Sequence, residues 1–202
     1  MTSGRPREFD IDRALEAATR QFWAAGYEAT SLQDLLKTMR LSKSSLYQTF
    51  GNKHELFVCC IDRYQQTMVS VLSEQLANSS SVERFLHDFL EGVISQAKNC
   101  STRKGCFLVN TANELSQRDP VIAKAVSGGI GNVAEVFRQA IEQGKQQKEL
   151  DSALPTENLV DYFMTSVSGL RTMVKAGADI ASLHPVAQLI MKTLSGNKPA
   201  YQ

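Results

Sequence analysis

Residues able to bind a polyanion gather between Asp34 and Glu55, an interval that contains no acidic side chain. The basic residues of this interval are Lys37, Arg40, Lys43 and Lys53. A basic surface without carboxylates attracts the phosphates of a nucleic acid, because no like charge opposes them. Hydroxyl and amide side chains in the same interval can donate to phosphates and base edges. The interval therefore predicts nucleic-acid recognition.

Polar side chains concentrate in one short predicted helix, as expected for a helix that enters the major groove. Gln48 can pair with two edge atoms of adenine, and Lys43 can reach guanine acceptors. Arg5 and Arg7 lie on an N-terminal arm that can follow the DNA backbone or the minor groove. The predicted DNA-binding residues are Arg5, Arg7, Thr30, Ser31, Lys43, Ser44, Ser45, Tyr47, Gln48, Thr49 and Lys53.

Some of these residues also have a purely structural interpretation. Ser31 is equally explained as a helix cap. Tyr47 is suited to a core position as well as to a phosphate contact, and Lys37 and Arg40 fit solvated surface better than base contacts. An acid-free interval of this length beside two short capped helices nevertheless favours DNA binding.

Three short helices are predicted to position this surface. Asp10 caps the first, a capping box at Ser31 begins the second, and Ser42 caps the third. Within the third helix, Leu46 and Phe50 recur at a spacing of four and are expected to face inward. This pattern predicts an N-terminal three-helix helix-turn-helix domain.

The rest of the chain also shows helical periodicity. A capping box at Asn52 begins a long fourth helix, and the last two helices are expected to open at Pro155 and Pro185. No alternating strand pattern appears. The prediction is an all-α chain of about nine helices, with a DNA-binding domain at residues 5–65 and a helical effector-binding and dimerisation domain at residues 66–196.

Composition is consistent with a modular protein. The chain has 202 residues and 43% hydrophobic content, enough for a sizeable core, and its net charge is only +1. Residues 1–53 hold eight basic and six acidic residues, a local excess of +2. No signal peptide and no apolar run near the ~18 residues of a membrane span is present, which predicts a cytoplasmic protein with no membrane partner.

The segment from Phe9 to Tyr64 resembles the DNA-binding domain of the TetR family of bacterial transcriptional regulators. The matching residues are Phe22, Gly26-Tyr27, Thr30-Ser31-Leu32, Leu41 to Phe50 and Asn52 to Leu56. The resemblance implies a homodimer whose third helix enters the major groove and whose variable C-terminal body binds a ligand. At the turn where this chain has Met39-Arg40, the family usually has a small residue and glycine. A non-glycine residue in the left-handed region costs on the order of 1 kcal/mol, so we expect this turn to close differently.

Similar regulators place an effector pocket inside the helices that follow the DNA-binding domain. We call this domain, residues 5–65, the head, and the helices that follow it the body. An apolar cavity with a few polar groups suits a small organic effector. The predicted lining residues are Phe85, Phe89, Cys106, Phe107, Asn110, Asn113, Glu114, Phe137, Tyr162, Phe163, Ser166 and Leu170. For each aromatic side chain, an ordinary filled core is the alternative.

Cys106 follows Arg103 and Lys104 at a predicted helix N-terminus. Neighbouring cations and a helix N-terminus both stabilise a thiolate. Some similar regulators sense electrophiles or oxidants through a cysteine near this position, and we hypothesise that Cys106 is such a sensor. The four cysteines show neither metal-ligand spacing nor a disulfide framework.

The resemblance also places the dimer interface on the last two long helices. Small residues such as Gly169 allow two helices to approach closely. The predicted interface residues are Val167, Leu170, Val174, Val186, Leu189 and Ile190. Packing of this apolar face within its own chain is the alternative.

Enzymatic motifs find little support. The segment from Gly129 to Ala134 fits a dinucleotide fingerprint, but that motif needs a parallel sheet and the chain offers no companion strands. The three histidines are scattered, and no nucleophile elbow is present. We therefore predict no enzyme activity, no metal and no cofactor.

The favoured function is that of a ligand-responsive transcriptional regulator. It would be a homodimeric repressor, released from a palindromic double-stranded operator by a small organic effector or by thiol modification. The alternative is a helical small-molecule- or cofactor-binding protein without operator specificity. Steep salt dependence of site-specific DNA binding would distinguish the first from the second.

Overall fold

The computed structural model describes residues 9–99, 103–151 and 153–196. Within these ranges the chain forms nine α-helices and no strand, which confirms the predicted all-α fold. The helices are α1 Ile11–Ala25, α2 Leu32–Met39, α3 Lys43–Phe50, α4 Lys53–Asn78, α5 Val82–Ser95, α6 Phe107–Leu115, α7 Pro120–Gln146, α8 Thr156–Lys175 and α9 Ile180–Ser195. A 3₁₀ turn, Gln96–Lys98, follows α5. The predicted DNA contacts Arg5 and Arg7 lie outside the described residues.

The predicted helix caps are present. Asp10 and Ser42 each accept a hydrogen bond from a first-turn backbone N–H. Complete capping boxes begin α2 at Ser31 and α4 at Asn52. These bonds satisfy donors that a helix leaves unpaired at its N-terminus, so local sequence sets where each head helix begins.

The last helix begins one and a half turns earlier than predicted. The sequence placed its start at Pro185, but α9 begins at Ile180 and contains that proline. The Ser182 N–H donates to the Asp179 carbonyl at 3.0 Å and closes the first turn. Leu183 is buried, and its burial offsets the backbone bond that an internal proline removes.

A first hydrophobic core joins the head to the body. The buried side chains of Phe22, Leu35 and Leu46 come from α1, α2 and α3. Phe107 of α6 and Ile122 of α7 pack into the same core. The packing of the head therefore continues past the predicted domain boundary.

A second core fills the body and brings α4 against α7. Phe137 and Phe163 meet at its centre, with ring centroids 4.8 Å apart.

At Gly129, an added Cβ would lie 3.3 Å from the Cβ of Gln65 on α4. The glycine thus allows the two helices to approach closely. The segment from Gly129 to Ala134 is continuous helix and offers no phosphate-binding turn.

Candidate nucleic-acid interface

The α3 helix separates an exposed polar face from a buried apolar face. Its solvent-facing side chains are Lys43, Ser44, Tyr47 and Gln48. Leu46 is fully buried and Phe50 is 7% exposed, so the two hold α3 on the head core. Tyr47 is 47% exposed, which excludes its interpretation as a core residue. The exposed face can donate to phosphates and base edges without unfolding any part of the head.

The hydroxyl groups at the start of α3 form a small network. Ser42 Oγ accepts from the Ser45 N–H and lies 2.9 Å from Ser44 Oγ. It also lies 2.8 Å from Ser45 Oγ. Ser45 and Thr49 are half-buried on the flank of the helix. The cap therefore orients the Ser44 hydroxyl, and Ser45 and Thr49 offer less surface than the four exposed residues.

Thr30 does not belong to the exposed surface, contrary to the sequence prediction. It is fully buried, and its hydroxyl donates to the Gly26 carbonyl at 2.6 Å. Ser31 is exposed, but its hydroxyl bonds the Asp34 carboxylate and accepts from the Asp34 N–H. The bond from Thr30 to the Gly26 carbonyl closes the α1–α2 turn, and it turns the Thr30 hydroxyl away from solvent.

The turn between α2 and α3 keeps the left-handed conformation despite its arginine. Arg40 has φ 55° and ψ 43°, so the expectation of a different closure is wrong. Its N–H donates to the Leu36 and Lys37 carbonyls, and the Leu41 N–H donates to Leu36 at 3.0 Å. These bonds and the burial of Met39 offset the ~1 kcal/mol that a side chain costs in this region. The Arg40 side chain is exposed next to α3.

Two lysines of the interface stand over aromatic rings. Lys53 Nζ lies 4.3 Å from the centroid of Tyr27, and Lys43 Nζ lies 5.9 Å from that of Tyr47. Burial, followed by the charge of Glu28, raises the pKa of Tyr27. Lys53 is thus held at the first turn of α4, where free backbone N–H groups also favour a phosphate.

Glu114, a predicted pocket residue, connects the body to the head. Its carboxylate accepts from the backbone N–H groups of Tyr27 and Glu28, at 3.1 and 2.9 Å. The carboxylate also approaches Gly26. The C-terminal end of α6 is therefore hydrogen-bonded to the α1–α2 turn. The residues in this contact are more than eighty positions apart, and the sequence did not reveal it.

A second connection joins the start of α4 to the start of α7. His54 Nε2 lies 2.7 Å from Asp119 Oδ2, and both side chains are partly buried. Asp119 Oδ1 caps α7 by accepting from Val121 and Ile122. The backbone bond from Ile122, followed by the contact with His54, lowers the pKa of Asp119.

The apolar residues of the predicted pocket divide between the two cores. The body core takes Phe85, Phe89, Phe137, Phe163 and Leu170, and the head core takes Cys106 and Phe107. A cavity of about 490 Å³ lies between α4 and α5. Only Phe85 and Phe89 of the predicted set line it.

The polar residues of the predicted pocket have other neighbours. Asn110 donates to the Lys104 carbonyl at 2.8 Å and accepts from Lys175 at 3.0 Å. Tyr162 donates to Thr193 on α9 at 3.3 Å. Asn113 is exposed and Ser166 is half-buried. These groups lie on several sides of α6 and α8 and do not converge on the cavity.

Cys106 occupies the N-cap position of α6 and is half-buried. The Tyr64 hydroxyl points at its sulfur from 3.9 Å. Burial raises the pKa of Tyr64, so the phenol stays protonated and can donate. The two cations expected beside the thiol are engaged elsewhere: Arg103 donates to the Ala97 carbonyl, and Lys104 stands over Trp23.

The predicted dimer interface is mostly interior. The buried members are Val167, Leu170, Val174 and Ile190, which belong to the core of their own chain. Val186 and Leu189 are 42% and 62% exposed, and Met173 of α8 is 52% exposed. The apolar surface on α8 and α9 is therefore the outward face, since the four buried positions point the other way on the same helices.

Comparison with known proteins identifies the family. The model for bacterial regulatory proteins of the tetR family matches residues 14–59, and the model for the tetracyclin repressor-like C-terminal domain matches residues 82–190. The chain belongs to the TetR family of bacterial transcriptional regulators. This placement confirms the predicted family and its helix-turn-helix head. It also agrees with the prediction of a regulator rather than an enzyme.

Individual TetR-family relatives match over nearly the whole chain. The transcriptional repressor ComR of Escherichia coli is 30% identical, over 91% of this chain and 88% of ComR. A cysteine mutant of the regulator CifR, solved with 26-base-pair operator DNA, is 26% identical with TM-score 0.80 and covers 95% of this chain and 100% of its own. The reduced form of E. coli NemR is 18% identical with TM-score 0.81, covers 91% of this chain and 96% of its own, and shows the shared fold.

No helix in the described ranges is long and apolar enough to cross a bilayer. The same ranges contain no group of three side chains suited to hold a metal ion.

Proposed function

We propose that this TetR-family regulator is a repressor that binds a palindromic operator in the cytoplasm as a homodimer. The observation that carries the proposal is the exposed face of α3, which presents Lys43, Ser44, Tyr47 and Gln48 on a helix whose other face is buried. Its relative CifR has been solved on double-stranded operator DNA. A helix that presents small polar groups and one cation matches the chemistry of the major groove.

The outward face of α8 and α9 supports dimerisation. Met173, Val186 and Leu189 together expose apolar surface, and Gly169 on α8 faces open space. Pairing this face with its twofold copy removes apolar surface from water and gives a four-helix interface. Two recognition helices then meet half-sites that repeat on the scale of the ~34 Å helical turn.

Release from DNA is proposed to pass through α6 and α4. Glu114 ties α6 to the α1–α2 turn, and His54 and Asp119 tie the start of α4 to the start of α7. Ligand or thiol chemistry in the body that moves either helix therefore moves the head. A shift of a few ångströms at one head suffices to misplace its recognition helix in the groove.

The test is selection of bound DNA from a random duplex pool, followed by affinity measurements at increasing salt. A palindrome should emerge, and its affinity should fall steeply with salt. Gln48→Ala should cost ~1–3 kcal/mol of sequence discrimination at one base pair of each half-site. Gln66→Ala, an exposed glutamine on α4 outside the head, is the matched control. Enrichment of no sequence at all would refute the proposal.

A further inference from the structure

The cavity between α4 and α5 has the size of a small-molecule site. Its volume of about 490 Å³ falls within the ~300–1,000 Å³ typical of ligand pockets. Apolar walls come from Met68 and Leu72 of α4 and from Phe85, Phe89 and Val93 of α5. These walls suit an apolar or aromatic ligand body.

Arg171 of α8 brings a positive charge to one side of this cavity. Its Nε atom is buried, and no described residue accepts a hydrogen bond from it. The guanidinium carbon lies 5.5 Å from the centroid of the Phe89 ring, so the charged group stands beside the apolar wall. A buried donor on a charged group is costly to leave unpaired, and a carboxylate is its best-matched partner.

The cavity's other charged side chain is already neutralised. Asp88 lines the cavity, but its carboxylate accepts from Arg84 Nε at 2.7 Å and lies 3.4 Å from His87 Nδ1. The remaining polar lining groups are amides, a hydroxyl and backbone, which carry no net charge. Arg171 therefore gives the cavity an unbalanced positive charge beside an aromatic ring.

We propose that this cavity binds a small organic acid, with its carboxylate paired to Arg171 and its apolar body between α4 and α5. The proposal rests on the proposed function, since it names the chemical class of the effector. Arg171 belongs to α8, so the acid draws α4, α5 and α8 together across one site. That contraction acts on α4, whose first turn carries Lys53 at the DNA interface.

Ligand-observed NMR on the full-length protein, without DNA, tests the class of ligand directly. The probes are a panel of aromatic and branched aliphatic carboxylic acids, each paired with its neutral primary amide. Acids should bind, and their amides should bind roughly tenfold more weakly or worse, because the amide forms no ion pair with Arg171. Equal binding of acids and amides, or binding of no acid, would overturn the proposal.

Variants then locate the charge that matters. Arg171→Gln should weaken the best acid roughly tenfold or more and leave the weak affinity of its amide unchanged. Arg171→Lys should restore part of the loss and guards against a folding defect. Arg138→Gln, on α7 and paired with Glu135 outside the lining of the cavity, should bind acid as the wild type does. Undiminished acid binding by Arg171→Gln would refute the assignment.

The two proposals fail separately. Operator binding is measured on the wild type without ligand, and acid binding is measured without DNA. A wild type that selects no palindrome contradicts the proposed repressor and leaves the acid-binding result standing. A wild type that binds its operator but no acid contradicts only the effector class.

Discussion

At the scale of single residues, Cys106 is a thiol whose sulfur meets a phenol rather than a cation. Its neighbours Arg103 and Lys104 are turned toward Ala97 and Trp23, and the residue itself occupies the N-cap position of α6. Alkylation at this N-cap would force bulk against Tyr64 on α4. A thiol response thus remains a proposal with a direct structural route to α4.

We expect N-ethylmaleimide to release the wild type from its operator, because addition of the thiolate to the reagent places a ring between α6 and α4. Cys106→Ser should stay bound under the same treatment, as measured by fluorescence anisotropy of labelled operator. Cys59→Ser, which removes a half-buried thiol on α4, should still be released. Full release of Cys106→Ser would exclude the sensor role.

Asp119 predicts a pH dependence of stability. Its pKa is lowered in the folded state, so its stabilising contribution is complete above the ordinary carboxyl range and is lost as pH falls through the folded pKa. Asp119→Asn keeps an N-cap but removes the charge. Denaturation at a series of pH values should show a shallower acid loss for Asp119→Asn than for the exposed control Asp161→Asn. Identical acid profiles would contradict the prediction.

At the scale of elements, α6 is the helix of the body that contacts the α1–α2 turn of the head. Glu114→Ala leaves the N–H groups of Tyr27 and Glu28 without their carboxylate, so we expect ~1–3 kcal/mol less stability by chemical denaturation. Operator affinity should become less sensitive to effector. Asn113→Ala, the exposed neighbour on the same helix, is the control and should match the wild type.

The glycines of α7 offer a second element-scale prediction. A Cβ at Gly128 or Gly131 would meet nothing within 4 Å, so each alanine variant should gain about 1 kcal/mol through helix propensity. A Cβ at Gly129 would press on Gln65 and Leu108 at 3.3 Å. Gly129→Ala should therefore be the least stable of the three by denaturant titration. Equal gains at all three positions would show that α4 and α7 do not need their close contact.

The helices could be predicted from sequence because their signals are local. Ser31, Ser42 and Asn52 cap helices through bonds to residues within three positions, and the structure has each of them. The contacts of Glu114 and Thr30 could not be predicted, for the opposite reason. Whether a polar side chain faces DNA, a pocket or another helix depends on how distant segments pack, and no pattern of spacing encodes that. The prediction of a different turn at Arg40 was wrong for a third reason. The conformational cost of ~1 kcal/mol for a side chain in the left-handed region is smaller than the stabilisation from the turn's hydrogen bonds and from burial of its neighbours.

At the scale of the whole molecule, the outward face of α8 and α9 decides whether two heads act together. Leu189→Glu places a charge on the proposed interface at a position that is 62% exposed, so it should yield monomers in sedimentation velocity without loss of helix content. Operator affinity should fall with it, because a monomer holds one half-site only. Val121→Glu, at an exposed apolar residue on α7, is the control and should remain dimeric. A dimeric Leu189→Glu would place the interface elsewhere.

The shared core of head and body limits how this regulator can be re-engineered. Phe107 and Ile122 complete the packing around Phe22 and Leu46, so a head cut out at its last helix-turn-helix residue would lack part of its interior. If that fragment were fused to a foreign sensor domain, its hydrophobic core would contain a cavity where Phe107 and Ile122 pack in this protein. A functional chimera must include α6 and the first turns of α7 together with the head. Otherwise the new sensor domain must supply apolar side chains that replace Phe107 and Ile122.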